Sequence, residues 1–296
     1  MPDKEYVIVT PARNEAEYIE KTIKAVIAQT VRPMRWVIVS DGSTDATDHI
    51  VKGYADKFDF MELLRLESQP TRDFGSKVNA INAGYSRIEQ LQFEYFGNLD
   101  ADITFDADYY EQIMNRFEQY PNLGIAGGIV VDLNIKGRKG TFYGDGVGCA
   151  VHFFRRQCYE GIGGYLPMRY GGEDTIAEAM TRMQNWQVRT FPEIVVSHLR
   201  PRGKGMWNSF QIPFYRGVAD YYMGYHPLFF FLKSISRFRQ KPLLISTFLM
   251  LLGYLFSSVR NTDSQVPPHV VKYLRREQMN KLKALFYKAR SKSNLQ

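Results

Sequence analysis

Two carboxylates stand one residue apart directly after an apolar run in the first third of the chain. The run is Phe93 to Leu99, which predicts a buried strand, and Asp100 and Asp102 follow it. Charged side chains are rarely buried without a partner. A divalent cation such as magnesium or manganese suits them, because both ions prefer hard oxygen ligands. The spacing therefore predicts a cation site at the end of this strand.

Other polar residues follow other predicted strands. Asn14 and Glu15 come after an apolar run at 6–10, and Asp41 comes after one at 36–40. Helical patterns of ten to fifteen residues alternate with these runs, which indicates a mostly parallel, three-layer α/β sheet. Ligands bind such sheets beyond the carboxyl ends of the strands. We therefore expect the acidic residues to meet at one edge.

The sequence predicts four further local features. Pro11 is expected to close the first strand, and Asn14 with Glu17 forms a capping arrangement for the next helix. Residues 149–154 form a predicted strand. A Gly-rich basic loop at 136–148 precedes that strand.

Charge is distributed unevenly along the 296 residues. Residues 1–198 hold 21 Lys and Arg against 28 Asp and Glu, whereas residues 199–296 hold 17 against 3. A basic C-terminal region suggests an anionic partner, either a membrane surface or a polyphosphate. No zinc-finger spacing or other nucleic-acid module accompanies the charge, so nucleic acid is not the expected partner. The two cysteines form no disulfide framework, and a reducing, cytoplasmic location is the simpler expectation.

The C-terminal region is also apolar. Residues 206–225 are rich in aromatic side chains, and residues 243–256 form an uncharged run of fourteen. A bilayer-spanning helix needs roughly 20 apolar residues. Interfacial or shallow insertion is favoured for about 206–260, on the inner face of the membrane, and a buried helix of the globular core stays as the alternative.

Four motifs carry a resemblance to a known family. They are Thr10-Pro11-Ala12-Arg13-Asn14-Glu15, Asp41-Gly42-Ser43-Thr44-Asp45, Leu99-Asp100-Ala101-Asp102 and Gly172-Glu173-Asp174. In this order and spacing, over about residues 5–200, the chain resembles family 2 glycosyltransferases. The resemblance implies a GT-A fold in residues 1–204, with a nucleotide-sugar half at about 1–102 and an acceptor half at about 103–204. A helical, basic, membrane-associated region then covers 205–296.

The resemblance also implies a reaction. It is the inverting transfer of a sugar from a nucleotide-diphosphate donor to an acceptor hydroxyl, with Mn²⁺ or Mg²⁺ on the diphosphate. The implied acceptor is lipid-linked or a growing cell-surface polysaccharide. Asp174 is the implied general base, and Asp102 and His198 are the implied metal ligands. The implied donor-binding residues are Pro11, Arg13, Asn14, Glu15, Asp41, Arg72, Lys77, Asp100, Ala101 and Glu173.

Simpler interpretations stay open for several of these residues. Asp41 suits a helix cap, Glu15 and Asp174 suit the acidic first turn of a helix, and Asp45 is the expected cap of the second helix. A lone histidine such as His198 is more often structural. Arg13 departs from the family, in which many members carry an aromatic residue there, although a guanidinium also stacks on a ring.

Two basic segments are expected near the diphosphate. Lys77 begins a predicted helix, where the helix dipole disfavours a cation unless an anion is bound, and Asn79 and Asn82 follow it. Arg200, Arg202 and Lys204 are expected to fold over the diphosphate as a closing loop, with a screened surface patch as the alternative.

Three other functions fit parts of the sequence. A sugar nucleotidyltransferase shares an acidic α/β edge, but it needs a Gly-rich basic loop where Pro11 and Asn14 stand. A non-catalytic membrane-bound subunit would keep the fold, although the acidic positions are intact. A nucleic-acid binder would use only the basic region.

Overall fold

The computed structural model describes residues 5–67, 74–132, 146–200, 211–236, 244–260 and 264–293. The chain forms two compact units. The sheet unit comprises Met1–Pro167 and Glu173–Arg202, and the helical unit comprises Met168–Gly172 and Gly203–Gln296. The predicted boundary after residue 204 lies outside the described residues and stays a prediction.

The described part of the sheet unit contains an eight-stranded sheet in the order β3-β2-β1-β4-β7-β6-β8-β5. Strands β3, β2, β1 and β4 are mutually parallel, β6 and β8 are parallel, and β7 and β5 are antiparallel to their neighbours. The predicted mostly parallel α/β architecture is confirmed. The strands are β1 Tyr6–Ala12, β2 Arg35–Asp41, β3 Met61–Leu66, β4 Tyr95–Asn98, β5 Ile103–Phe105, β6 Leu123–Asp132, β7 Phe153–Arg155 and β8 Gln187–His198.

Helices cover both faces of this sheet. Successive side chains of a strand point to opposite faces, so Tyr6 and Ile8 of β1 enter one buried apolar cluster while Val7 and Val9 enter the other. Two cores on either side of one sheet make the predicted three layers. The helices are α1 Ile19–Ile27, α2 Thr47–Ala55, α3 Gly75–Ser86, α4 Tyr109–Gln119, α5 Arg156–Gly161 and α6 Glu173–Met183.

Pro11 lies within β1 instead of closing it. The carbonyl of Val9 accepts from Leu99 of the β4 side, and alternate residues of a strand point to the same side, so the nitrogen of Pro11 faces that side too. Strand β4 pairs with β1 only as far as Val9. The missing N–H of Pro11 therefore interrupts no ladder.

Two other local predictions are wrong. Helix α1 begins at Ile19 without a side-chain cap, because the Asn14 carboxamide turns instead to the loop after β2. The predicted strand at 149–154 is a short 3-10 turn, Cys149–Val151, followed by the three-residue β7. The Asn98 side-chain amide donates to the Cys149 carbonyl at 2.9 Å. That carbonyl is therefore already bonded to a side chain and does not accept a hydrogen bond from a neighbouring strand.

The described part of the helical unit contains α7 Gln211–Tyr222, α8 Pro227–Ser236, α9 Ile245–Val259 and α10 Pro268–Ser293. Helices α7 and α9 cross at two glycines. A Cβ on Gly217 would lie 2.0 Å from the Met250 carbonyl oxygen, and one on Gly253 would lie 2.1 Å from that of Phe214. The two backbones therefore touch. Within the ranges described, no helix combines the length and the apolar character needed to cross a bilayer.

Candidate active site

The motif at 99–102 lies just beyond β4 and is held by backbone contacts. The Asp100 N–H donates to the Ala150 carbonyl at 3.0 Å, and the Thr22 hydroxyl donates to the buried Ala101 carbonyl at 2.8 Å. The Asp102 carbonyl accepts from the Leu199 N–H at 2.8 Å. The Asp102 side chain is buried. It lies in the turn that follows β4, at the carboxyl edge of the parallel strands, as expected from the sequence.

Strand register brings His198 to Asp102. His198 ends β8, opposite Ile103 of β5 on one side and Asp132 of β6 on the other. Its Nε2 lies 3.4 Å from Asp102 Oδ2, and its Nδ1 lies 3.3 Å from Asp132 Oδ1. The hydrogen bond to Asp102 raises the pKa of His198, against the opposing effect of burial. Asp132 is a further site residue that was not expected from the sequence, and its only signal is its place directly after the apolar run at 129–131.

Arg200 joins two of the predicted acidic residues. Its Nε lies 3.1 Å from Asp102 Oδ2, its Nη2 contacts the Glu15 carboxylate, and its guanidinium lies over the Tyr18 ring. Burial tends to raise the pKa of Asp102, but His198 and Arg200 outweigh it and the pKa is lowered. Burial raises the pKa of Glu15 to about 7, despite the opposing charge of Arg200. Arg202 and Lys204 of the expected closing loop lie outside the described residues.

A second cation, Lys77, lies at the start of α3. Its Nζ is 2.6 Å from Asp100 Oδ1 and 3.7 Å from Cys149 Sγ. Cys149 Sγ in turn lies 3.9 Å from Glu173 Oε1, so the sequence analysis also missed Cys149 as a site neighbour. Burial and the neighbouring charge of Asp174 raise the pKa of the buried Glu173, with Lys77 opposing. Asn79 and Asn82 are exposed on α3, and Arg72 lies outside the described residues.

The loops after β1 and β2 are bound to each other. Arg13 Nη1 lies 3.3 Å from Asp41 Oδ2, and Asn14, with φ of 54°, accepts from the Thr44 N–H at 2.8 Å. The start of α2 is served by Asp45, whose Oδ1 accepts from the Thr47 N–H at 3.0 Å. The N-cap residue of α2 is Ala46 and has no side-chain cap hydrogen bond, so Asp45 bonds the first turn from one residue outside the predicted cap position. Asp41 ends β2 with its carboxylate beside Arg13.

Asp174 lies in the first turn of α6, which begins at Glu173. Its Oδ1 accepts from the Thr175 N–H at 2.7 Å, which orients the carboxylate. Gly171 and Gly172 precede α6 with φ of 85° and 103°, values that side chains other than glycine rarely adopt. They belong to the helical unit, in which a Cβ on Gly172 would lie 2.3 Å from Met223 Sδ. The backbone leading to the acidic pair therefore requires glycine.

The residues present are compatible with a divalent cation that substrate helps to hold. Over the described ranges, no three His, Cys, Asp or Glu side chains converge on a metal position. The Asp102 oxygen and His198 nitrogen are 3.4 Å apart, whereas adjacent ligands of an octahedral magnesium, each at about 2.1 Å, stand about 3 Å apart. Nucleotide-bound magnesium is commonly held by one or two protein groups plus phosphates. Asp102 and His198 fit that pattern.

A family model for glycosyl transferase family 2 matches residues 7–157, about half of the chain. The chain belongs to glycosyl transferase family 2. The matched range contains β1, β2, β4 and the Asp102 turn described above. The GT-A architecture that the four motifs implied is thus supported by both the family match and the observed sheet.

Curated relatives match a shorter stretch. The chain is 32% identical over 115 residues to poly-beta-1,6-N-acetyl-D-glucosamine synthase of Staphylococcus aureus (strain COL), and 31% identical to the synthase of the same name from Staphylococcus epidermidis. The match covers 39% of this chain and 26% of each relative. The chain therefore spans about a quarter of the length of these synthases.

Solved structures share the fold at low identity. The mannosyltransferase PcManGT from Pyrobaculum calidifontis, in complex with GDP-Man and Mn²⁺, has a TM-score of 0.55 at 17% identity, over 86% of this chain and 73% of that one. S. aureus TarS 1–349, in complex with UDP-GlcNAc, has a TM-score of 0.55 at 13% identity, over 87% and 73%. These likenesses agree with the GT-A fold.

Proposed function

We propose that this family 2 glycosyltransferase is a metal-dependent inverting enzyme that uses a nucleotide-diphosphate sugar. The observation that carries the proposal is the meeting of Asp102, His198 and Arg200 at the carboxyl edge of the sheet. A buried carboxylate beside an imidazole suits a cation, and the nearby guanidinium suits a phosphate. Few ligands other than a metal-bound diphosphate need both.

The donor-binding residues have separate tasks in this proposal. Arg13 and Asp41, at the ends of β1 and β2, face the base and ribose. Without substrate, Lys77 and Arg200 each pair with a carboxylate. The incoming diphosphate would compete for these two cations and release them from their carboxylate partners. Asp132 faces Nδ1 of His198, and a proton held there leaves Nε2 directed at the cation.

The chemical step belongs to Asp174. Its carboxylate removes the proton from the acceptor hydroxyl while that oxygen attacks the anomeric carbon, and the bond from that carbon to the diphosphate oxygen breaks with inversion. The bound cation supplies Lewis-acid stabilisation of the leaving diphosphate. Glu173 lies beside Asp174 and is buried, so it supports the donor sugar side of the site.

UDP-GlcNAc is the first donor to test. It is the ligand named for the TarS structure, and the curated relatives are N-acetylglucosamine polymer synthases. GDP-mannose, named for PcManGT, is the second. We further propose a saccharide or lipid-linked acceptor and contact with a membrane surface through about 206–260, of which residues 206–210 and 237–243 lie outside the described part. An inner-face location stays a prediction.

A thermal-shift series tests the donor and the cation together. Mn²⁺ with the correct nucleotide sugar at 100 times its Kd should stabilise the protein by about 2.7 kcal/mol, and a chelator should abolish the shift. The Asp102→Asn variant should lose the shift that depends on Mn²⁺. An unchanged donor-dependent shift after chelation, or in that variant, would count against the metal assignment.

A nucleotidyltransferase is the alternative that this chemistry can exclude. It would form a nucleotide sugar from a sugar 1-phosphate and a nucleoside triphosphate and release pyrophosphate. A glycosyltransferase releases a nucleoside diphosphate from the nucleotide sugar, in transfer or in slow hydrolysis. Detection of pyrophosphate instead of UDP or GDP would overturn the proposal.

A further inference from the structure

Helix α9 packs a face of small and mixed residues into the helical unit and exposes an apolar face to solvent. The face that packs inward is formed by Ser246, Met250, Gly253, Tyr254 and Ser257. The opposite face exposes large apolar side chains at helical spacing, and residues 245–259 contain no charged residue. The exposed side chains are Ile245, Phe248, Leu252, Leu255, Phe256 and Val259, between 40% and 85% accessible.

Helix α8 adds a second apolar stripe. Leu228, Phe231 and Ile235 are exposed at spacings of three and four residues, so they share one side of the helix. The two helices are packed together, with the rings of Phe230 and Tyr254 stacked at 4.1 Å. We call the exposed side chains of the two helices the α8–α9 face.

Such a face is unusual for a surface that meets only water. Monomeric proteins rarely expose contiguous apolar patches of more than a few hundred Å², and larger ones mark protein or membrane contacts. Single exposed apolar residues elsewhere in the described chain, such as Met34 in the sheet unit, need no such explanation.

The sequence that contains the two helices is basic. Residues 221–262 contain five Lys and Arg and no Asp or Glu. The preceding acid, Asp220, is 1% exposed, and both of its oxygens lie 2.9 Å from Lys233 Nζ. At the end of α9, the Arg260 guanidinium lies 4.2 Å from the centre of the Phe256 ring, where a basic group borders the apolar stripe.

The length of α9 favours an orientation along a bilayer. Fifteen residues extend about 22 Å, whereas the hydrocarbon core is about 30 Å thick. A helix with an apolar outer face and basic flanks lies in the headgroup region, with its side chains in the upper acyl chains and its cations among the phosphates. A second copy of this chain would bring the same positive charge to the contact and be repelled.

We propose that the α8–α9 face inserts into the interface of a bilayer that contains anionic lipids. The inference gives the membrane contact of the proposed function its residues and its lipid class, and it rests on neither the donor nor Asp174. Bound in this way, the enzyme would meet a lipid-linked acceptor at the surface where that acceptor resides.

Vesicle sedimentation of the full chain tests the proposal. Vesicles of phosphatidylcholine with about a third phosphatidylglycerol should bind the wild type at least ten times more tightly than pure phosphatidylcholine vesicles. The double variant Phe248→Glu with Leu252→Glu should lose at least tenfold in binding to the anionic vesicles. Both positions are exposed, and circular dichroism checks that the variant keeps its helices. Met34→Glu, which places a single new carboxylate on an exposed position of the sheet unit, should bind as the wild type does.

Three results would overturn the proposal. They are equal binding to both vesicle types, undiminished binding by the double variant, and a wild-type dimer that the variant converts to monomer with no change in vesicle binding. Hydrolysis of a soluble nucleotide sugar, measured without vesicles, should be the same in the variant. Loss of vesicle binding with hydrolysis intact supports the lipid face, whereas absence of hydrolysis in every form is a failure of the proposed chemistry alone.

Discussion

Asp102 is shared between an imidazole and a guanidinium, and this one carboxylate organises the site. Arg200 extends the link to Glu15, and His198 extends it to Asp132. Residues from the ends of β1, β6 and β8 therefore meet at the turn that follows β4. In the proposed function, Asp102 and His198 would hold the cation together, and Arg200 would be released to a phosphate.

Asp132 should matter through His198. Asp132→Asn removes the charge that faces Nδ1, and such outer partners of metal ligands typically change affinity 10- to 100-fold. We expect Mn²⁺ binding in the presence of UDP-GlcNAc, measured by electron paramagnetic resonance of free Mn²⁺, to weaken within that range. Asp59→Asn, on an exposed loop before β3, is the matched control and should change nothing. Wild-type Mn²⁺ affinity in Asp132→Asn would exclude this role.

Cys158 is buried and Cys149 is half-buried, and both should resist alkylation in the native protein because burial disfavours their thiolates. Burial raises the pKa of Cys149 above its ordinary value and that of Cys158 to about 11. The reactive thiolate is favoured only as the pH rises through the pKa, so at pH 8 the thiolate of Cys158 is about a hundredfold scarcer than for an ordinary thiol. Mass spectrometry after brief iodoacetamide treatment should find both thiols intact, and both modified in urea. Rapid native modification of Cys158 at pH 8 would contradict its burial.

The sequence predicted the acidic residues of the site but not their partners. Asp41, Asp100, Asp102 and Glu173 were found because each stands at a strand end or in a short motif. Asp132 and Cys149 depend on the pairing of β6 with β8 and on the contact of Asn98 with residue 149. These contacts join residues that are far apart in the sequence, so no local pattern predicts them.

At the scale of elements, α3 is seated on the sheet by a glycine. A Cβ on Gly84 would lie 2.6 Å from Val9 Cγ1 and 2.8 Å from Val39 Cγ2, so the helix backbone approaches β1 and β2 directly. This seating fixes Lys77, two turns earlier in the helix, above the end of the parallel strands.

Gly84→Ala should therefore destabilise the protein. Overpacking of this kind costs about 1–3 kcal/mol, and a urea titration should show the unfolding midpoint lowered accordingly. Gly53→Ala in α2 is the control, because its Cβ would meet nothing within 4 Å. That control should be neutral or stabilise by up to about 1 kcal/mol. Equal stability of the two variants would mean that α3 is less closely packed than described.

The parallel elements were more predictable than the antiparallel ones. Strand β2 matches its predicted range closely, because a continuous apolar run bounded by turns specifies it. Strands β5 and β7 have three residues each, too few for any periodicity to appear. Pro11 was a misleading signal for the end of β1, since only the neighbouring strand's length decides whether a proline is tolerated there.

At the scale of the whole molecule, the chain combines an acidic sheet unit with a basic helical one. Family membership and fold agree with the sequence motifs, and the basic charge lies in the helical unit that we propose contacts an anionic surface. The apolar run noted at 243–256 overlaps α9, Ile245–Val259, which has one packed and one exposed face. This result lies between the two interpretations left open, a buried core helix and a helix inserted in a membrane. Composition alone could not distinguish them, because α9 contains no charged residue that would mark its exposed face.

The central claim is that Asp174 is the general base and that the other acidic residues hold the donor. The most direct measurement compares Asp174→Asn with the wild type, using calorimetry for donor binding with Mn²⁺ and steady-state rates for glycosyl transfer. Asn keeps the shape of the side chain but cannot accept the proton, so transfer should fall by about 10²–10⁴-fold. Donor Kd should stay within about twofold, and loss of the charge in the first turn of α6 should cost less than about 1 kcal/mol of stability. Wild-type transfer by Asp174→Asn, or donor binding lost together with transfer, would contradict this account.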